Sequence, residues 1–138
     1  MSKPFLLFAI KCSVILYFAA CTSIENYTTD KSATPVMTNG VWKVKLYQDA
    51  NNDNTNDFAG YTFTFNKSGD VKVSKNGVDV NGNWAEDDIS KKITLNLNAN
   101  DPALARLNNY WKITSVGNSE VSLQNCSSNG TKLDIITL

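Results

Sequence analysis

Apolar and polar residues alternate from Gly40 to the end of the chain, in short runs separated by turn-forming residues. Alternation with a period of two places one set of side chains on one face of a β-strand. Short strands with frequent turns are typical of a β-sandwich or a β-barrel. Eight such runs carry the apolar positions: Trp42, Val44 and Leu46; Tyr61, Phe63 and Phe65; Val71 and Val73; Val78, Val80 and Trp84; Ile93, Leu95 and Leu97; Trp111 and Ile113; Val121 and Leu123; Leu133 and Ile135.

The connections between these runs are short. Asn76-Gly77 predicts a tight hairpin, because both residues tolerate positive φ, while Asn81-Gly82 predicts a bulge inside a strand. Asp101 followed by Pro102 predicts the start of a short helical turn. We therefore expect a single all-β domain, an up-and-down antiparallel barrel of about eight strands with one short helical turn, since closure removes exposed edges.

The first residues of the chain form a separate pattern. Lys3 and Lys11 supply positive charge ahead of an apolar stretch over residues 12–20 that has the length of a signal-peptide core. Lys11 interrupts the apolar residues, so a membrane-spanning helix is not expected. Phe18-Ala19-Ala20-Cys21 resembles the lipobox of bacterial lipoproteins. That resemblance implies cleavage before Cys21, a diacylglycerol thioether on its sulfur and an acyl chain such as palmitate on its amino group. The alternative is an ordinary secretory signal with an incidental cysteine.

The chain accordingly divides into three parts. Residues 1–20 are the predicted signal peptide, residues 21–38 a lipidated N-terminus and flexible tether, and residues 39–138 the barrel domain. Several acyl chains give stable membrane attachment, so the membrane is the first expected partner. By analogy with enteric lipoproteins, the absence of Asp after Cys21 favours the outer membrane, on either its periplasmic or its surface face.

Composition excludes several classes of function. The 13 Lys and Arg balance the 13 Asp and Glu, so no basic footprint of a nucleic-acid binder is present. The chain has no His, which excludes His-dependent catalytic triads. The consecutive Glu86, Asp87 and Asp88 are predicted to lie in a solvated turn. Cys126 would be the one cysteine left besides the lipidated Cys21, too few for an intramolecular disulfide. We therefore expect no enzymatic activity.

A series of residues carries a family resemblance. Gly40-Val41-Trp42 resembles the Gly-x-Trp that opens lipocalins and other calycins. The residues from Trp42 to Gly69, with Gly82-Asn83-Trp84 and Tyr110-Trp111-Lys112-Ile113, are similar to small lipocalin-like lipoproteins of Bacteroidetes-type bacteria. This resemblance implies a lipocalin-like barrel that binds a small apolar ligand or a component of the cell envelope.

Aromatic residues are the candidate ligand contacts. Trp42, Trp84 and Trp111 either line a pocket or form the core of the barrel. Further aromatic residues are expected at the barrel mouth, where they would surround a ligand: Tyr47, Phe58, Tyr61 and Tyr110. The alternative is a filled barrel whose loops bind an envelope protein or a glycan.

One loop has the spacing of a calcium site. Oxygen-bearing side chains occur at every second residue, as in the first nine positions of an EF-hand loop. The turn glycine and the final Glu of that motif are absent, and an Asn/Asp-rich connection between strands explains the composition equally. Calcium is therefore the one candidate cofactor, with these ligands: Asp49, Asn51, Asp53, Thr55 and Asp57.

Overall fold

The computed structural model describes residues 30–127 and 130–138 and places their strands in one antiparallel sheet. The first strand pairs with both the third and the last, so eight strands close into a barrel, and a ninth short strand extends its edge. The predicted up-and-down barrel is confirmed. The predicted signal peptide and Cys21 lie outside the described residues. The strands are β1 (Trp42–Asp49), β2 (Asn52–Asp53), β3 (Thr62–Phe65), β4 (Asp70–Lys75), β5 (Val78–Asp87), β6 (Lys92–Leu97), β7 (Asn109–Val116), β8 (Glu120–Asn125) and β9 (Lys132–Thr137).

Three short helical segments accompany the strands. They are α1 (Thr34–Met37), a 3-10 helix (Thr55–Phe58) and α2 (Pro102–Ala105). The helical turn predicted from Asp101 is α2, and the Asp101 carboxylate accepts hydrogen bonds from the amides of Ala103 at 2.7 Å and Leu104 at 3.4 Å. Over residues 30–127 and 130–138, no helix has the length and apolar character needed to cross a membrane.

Most apolar side chains of β3 to β9 face the interior of the barrel, as their alternation predicts. Val78, which the alternation also places inward, is instead 67% exposed at the start of β5. Strand β1 departs from the pattern, because its pairing with β9 shifts register between Val44 and Leu46. A bulge of this kind changes which face the following residues occupy. Tyr47 is therefore buried, and Leu46 is only half-buried. The sequence assigned these two residues to the opposite faces.

The bulge predicted at Asn81-Gly82 is wrong. Strand β5 pairs with β4 through both residues without a shift in register, and its pairing with β6 begins at Gly82. The glycine serves a different need, since a Cβ at Gly82 would lie 2.4 Å from the carbonyl oxygen of Asn96 and 2.8 Å from Cα of Leu97. Gly82 therefore allows β5 and β6 to approach closely.

The described end of the predicted tether is packed against the barrel. Ala33, which precedes α1, and Met37, its last residue, are completely buried. Glu86, predicted to lie in a solvated turn, belongs instead to β5 and is half-buried beside this segment. The packed part of the chain thus includes residues 33–38, which the sequence assigned to the tether.

Candidate functional site

One end of the barrel is closed by α1. This helix precedes β1 by four residues and is held on the far side of the barrel by Glu86 of β5. The Glu86 carboxylate accepts hydrogen bonds from the amide of Ala33 at 2.8 Å, the amide of Thr34 at 2.7 Å and the hydroxyl of Ser32 at 2.8 Å, and also from the Thr34 hydroxyl. We call this the α1 end. Met37 is its buried apolar plug.

The charge of Glu86 is stabilised by this arrangement. Burial alone would raise the pKa of its carboxyl. The hydrogen bonds from Thr34, Ala33 and Ser32 outweigh that effect, and the pKa of Glu86 lies below its ordinary value. Glu86 therefore acts as a negatively charged cap for the start of α1, supplied by a strand distant in sequence.

The opposite end is closed by the 3-10 helix and α2, and we call it the α2 end. Phe58 of the 3-10 helix packs against Tyr47 with ring centroids 4.9 Å apart. Trp111 lies beneath them, 6.5 Å from Tyr47, and its Nε1 donates to the carbonyl oxygen of Leu107 at 3.0 Å. Leu104 and Leu107 of the α2 segment are also buried. An aromatic and aliphatic plug therefore fills this end.

An ion pair connects the 3-10 helix and α2 at the α2 end. The Arg106 guanidinium pairs with Asp57 at 2.6 Å and lies 5.2 Å from the ring centroid of Tyr47 and 5.6 Å from that of Phe58. The Tyr61 hydroxyl donates to Asp101 at 2.6 Å. That hydrogen bond is the main cause of the raised pKa of Tyr61 and of the lowered pKa of Asp101.

The three tryptophans belong to the core between these two ends. Trp42 and Trp111 have no exposed surface and Trp84 is 6% exposed. Trp84 packs edge-on against Phe65 at 5.3 Å and donates from Nε1 to the carbonyl oxygen of Asn66 at 2.9 Å. Trp42 Nε1 is buried and has no hydrogen-bond acceptor among residues 30–127 and 130–138.

The predicted mouth residues do not form one open rim. Tyr47, Phe58 and Tyr61 come together at the α2 end, but all three are buried there. Tyr110 is 60% exposed on the outside of the barrel, because its neighbour Trp111 occupies the inward position. The aromatic residues thus close the barrel end rather than surround an opening.

The three carboxylates among the predicted calcium ligands each have a hydrogen-bond or ion-pair partner. Asp49 accepts from the Thr131 hydroxyl at 2.9 Å, Asp53 accepts from the Thr55 amide at 2.9 Å, and Asp57 pairs with Arg106. Asn51 is exposed in the same connection. Within the described parts of the chain, no three acidic, His or Cys side chains group in a way that could hold a metal ion. Calcium binding therefore stays a prediction from sequence spacing.

A groove on the outside of the barrel is a site that the sequence reasoning missed. It has a volume of about 430 Å³ and crosses β3, β4 and β5. Most of its lining residues are polar or charged, and the sequence feature that points to it is Asn81, an outward asparagine of β5. We call this the outer groove, and its residues are Thr64, Asn66, Asp70, Val71, Lys72, Asn81 and Gly82.

Comparison with known proteins supports the fold. The structure is similar to the crystal structure of a DUF4847 family protein from Bacteroides vulgatus, with a TM-score of 0.59 and 15% sequence identity. The similarity covers 78% of this chain and 98% of that protein. No protein-family model and no curated protein matches the sequence. The likeness therefore establishes a barrel fold shared with a Bacteroides protein.

Proposed function

We propose that the protein is a lipid-anchored component of the bacterial cell envelope that binds its partner on the outside of a filled barrel. The observation that carries this proposal is the placement of Trp42, Trp84 and Trp111 in the core, between two closed ends. An eight-stranded barrel has an interior just wide enough either for its own side chains or for one small ligand. Here large side chains occupy that space, which favours binding at the surface.

The envelope location rests on the N-terminal sequence. The lipobox-like Ala19-Ala20-Cys21 supplies the attachment point, and the likeness to a Bacteroides protein agrees with a source that has an outer membrane. A protein held at a membrane needs no transport cavity in order to bind a neighbouring envelope protein or glycan. The partner is therefore expected to be a macromolecule or a polar fragment of one.

The attachment is tested by changing Cys21. The Cys21→Ala variant should lose incorporation of radiolabelled palmitate and should move from the membrane fraction to the soluble fraction. Cys126→Ala is the matched control and should remain labelled and membrane-bound. Continued labelling of Cys21→Ala would refute the lipid anchor.

The filled barrel is tested with an apolar probe. A fluorescent fatty acid should show no saturable binding to the protein and should not quench its buried tryptophans. Saturable binding of one fatty acid per chain, accompanied by quenching, would instead establish an internal site and replace surface binding by transport.

A second candidate function, transport of a small ligand, is favoured by one observation. The buried Trp42 Nε1 lacks an acceptor within the described residues, and an unpaired buried donor costs about 1–3 kcal/mol. A ligand oxygen in the interior would relieve that cost. If so, Trp42→Phe should weaken binding of an oxygen-bearing apolar probe such as the fluorescent fatty acid.

A further inference from the structure

We propose that the outer groove is the binding site for a neutral, hydroxyl-rich ligand, such as a segment of an envelope glycan. This inference rests on the proposed function and adds to it a site and a ligand class. The groove volume of about 430 Å³ falls within the range of about 300–1,000 Å³ that is typical of small-ligand sites.

The groove is built from two rows of outward side chains. Thr64, Lys72 and Asn81 lie side by side on three paired strands and form one row. Asn66 and Asp70 belong to the second row, nearer the turn between β3 and β4. Between the two rows the side chains point into the barrel, so the strand backbone forms the floor of the outer groove. A ligand can therefore lie across the strands with polar groups on both sides.

The hydrogen-bonding capacity of these side chains is largely unused. Thr64, Asn66 and Asn81 make no side-chain hydrogen bond within residues 30–127 and 130–138. An asparagine amide both donates and accepts, as does a threonine hydroxyl. A sugar hydroxyl also does both, so adjacent hydroxyls match this set of side chains.

The charges in the groove favour an uncharged ligand. Asp70 and Lys72 carry opposite charges, and each has a neighbour of its own. The Ser68 hydroxyl donates to Asp70 at 2.8 Å, and Lys72 lies 4.0 Å from Asp79. Because no excess of either sign results, neither an anionic nor a cationic ligand gains a strong attraction. The groove thus selects for hydrogen-bonding geometry instead.

The residue types in the groove support a binding role. Asparagine is depleted in β-strands, because it fits the pleated surface poorly. Asn81 nevertheless occupies an exposed position within β5, where it pairs with Lys72 of β4 and its carbonyl oxygen accepts from the amide of Asn98 at 3.0 Å. Local departures from propensity concentrate at functional positions. The open side of the groove implies weak binding, with a Kd on the order of 1 mM.

The chain offers a closely matched control. Strand β6 carries Thr94 and Asn96 on its outer face, two residues apart and outside the groove. The test variant combines Thr64→Val with Asn81→Ala, and the control variant combines Thr94→Val with Asn96→Ala. Neither pair of side chains makes a hydrogen bond within the described residues, so both variants should unfold at nearly the wild-type temperature.

The experiment is an NMR titration of the full-length protein in detergent with three neutral probes: maltotriose, N,N′,N″-triacetylchitotriose and galactotriose. At about 10 mM, at least one should shift the amide signals of β3, β4 and β5. The test variant should bind that sugar about tenfold more weakly, and the control variant should bind it as the wild type does.

The possible failures are distinguishable. Equal weakening in both variants, shifts confined to another surface, or no response to any of the three sugars would overturn the groove proposal. Sugar binding at the loops of the α2 end would overturn the groove while agreeing with surface binding. Saturable binding of a fatty acid inside the barrel would overturn the proposed function itself.

Discussion

The two ends of the barrel are closed by different kinds of interaction. At the α1 end, the Glu86 carboxylate of β5 accepts hydrogen bonds from the first residues of the helical segment, and Met37 is buried in the space beneath that segment. The α2 end is closed by aromatic rings, aliphatic side chains and an Arg106–Asp57 ion pair. The closure of the α1 end therefore depends on a single polar side chain, whereas the closure of the α2 end is distributed over many contacts.

The largest effect is expected from removing the ring beneath the α2 end. Trp111→Ala should lower the free energy of unfolding by about 3–5 kcal/mol, because a fully buried ring and its contact with Tyr47 are lost. Urea denaturation measures this change, and Trp111→Phe should lose less. Val78→Ala, at a side chain that is 67% exposed, is the control and should change little. An equally small loss of unfolding free energy for Trp111→Ala would show that the buried rings do not stabilise the α2 end.

A smaller and more local effect is expected at the α1 end. Glu86→Ala removes the acceptor for Ser32, Ala33 and Thr34, and should lower the free energy of unfolding by about 2 kcal/mol. Amide hydrogen exchange should become faster at α1 and stay unchanged at α2. Glu120→Ala, which breaks only an exposed ion pair, should cost less than about 1 kcal/mol. Unchanged exchange at α1 would contradict the capping role.

Acidification should loosen the α1 end through the same carboxylate. The pKa of Glu86 is lowered in the folded protein, so its stabilising effect is complete above the ordinary value of 4.5 and is lost as the pH falls through the lowered pKa. The stability difference between wild type and Glu86→Gln should therefore shrink between neutral and acidic pH. Asp101 also has a lowered pKa, so the variant should keep part of the acid sensitivity. A difference that is constant with pH would contradict the cap.

The smallest effect is expected from the ion pair at the α2 end. Arg106→Met keeps an apolar stem over Tyr47 and Phe58 but removes the charge that pairs with Asp57. Because both charges are partly exposed, the loss should be about 1 kcal/mol, and added salt should narrow the gap between the two proteins. A loss as large as that of Trp111→Ala would mean that the α2 end, too, depends on one polar side chain.

Local sequence signals predicted much of the fold. Asn76-Gly77 forms the expected tight turn, with positive φ at both residues, and Asp101 caps α2. Both features depend on neighbours within a few residues. The bulge in β1 that turns Tyr47 inward depends on pairing with β9, at the other end of the chain. Alternation in β1 alone predicts the opposite face for Tyr47.

The candidate sites, too, depend partly on local sequence signals and partly on contacts between distant residues. The aromatic residues are recognisable in the sequence, but whether they surround an opening or fill it depends on the helices that cover the two ends. Glu86 looks like part of an acidic turn until Ser32 and Thr34, more than fifty positions earlier, are placed beside it. The outer groove requires three strands in register, and only the Asn81-Gly82 pair draws attention to it in the sequence.

By itself, the sequence determined the eight strands of the barrel, their order and the tight turn at Asn76-Gly77, because alternation and turn chemistry act over a few residues. The predicted lipid anchor at Cys21 also rests on a local signal, and the Cys21→Ala variant tests it. Tertiary structure decided which side chains fill the barrel, what closes each end and where a groove remains. Those features depend on contacts between residues far apart in the chain, which a local pattern does not encode.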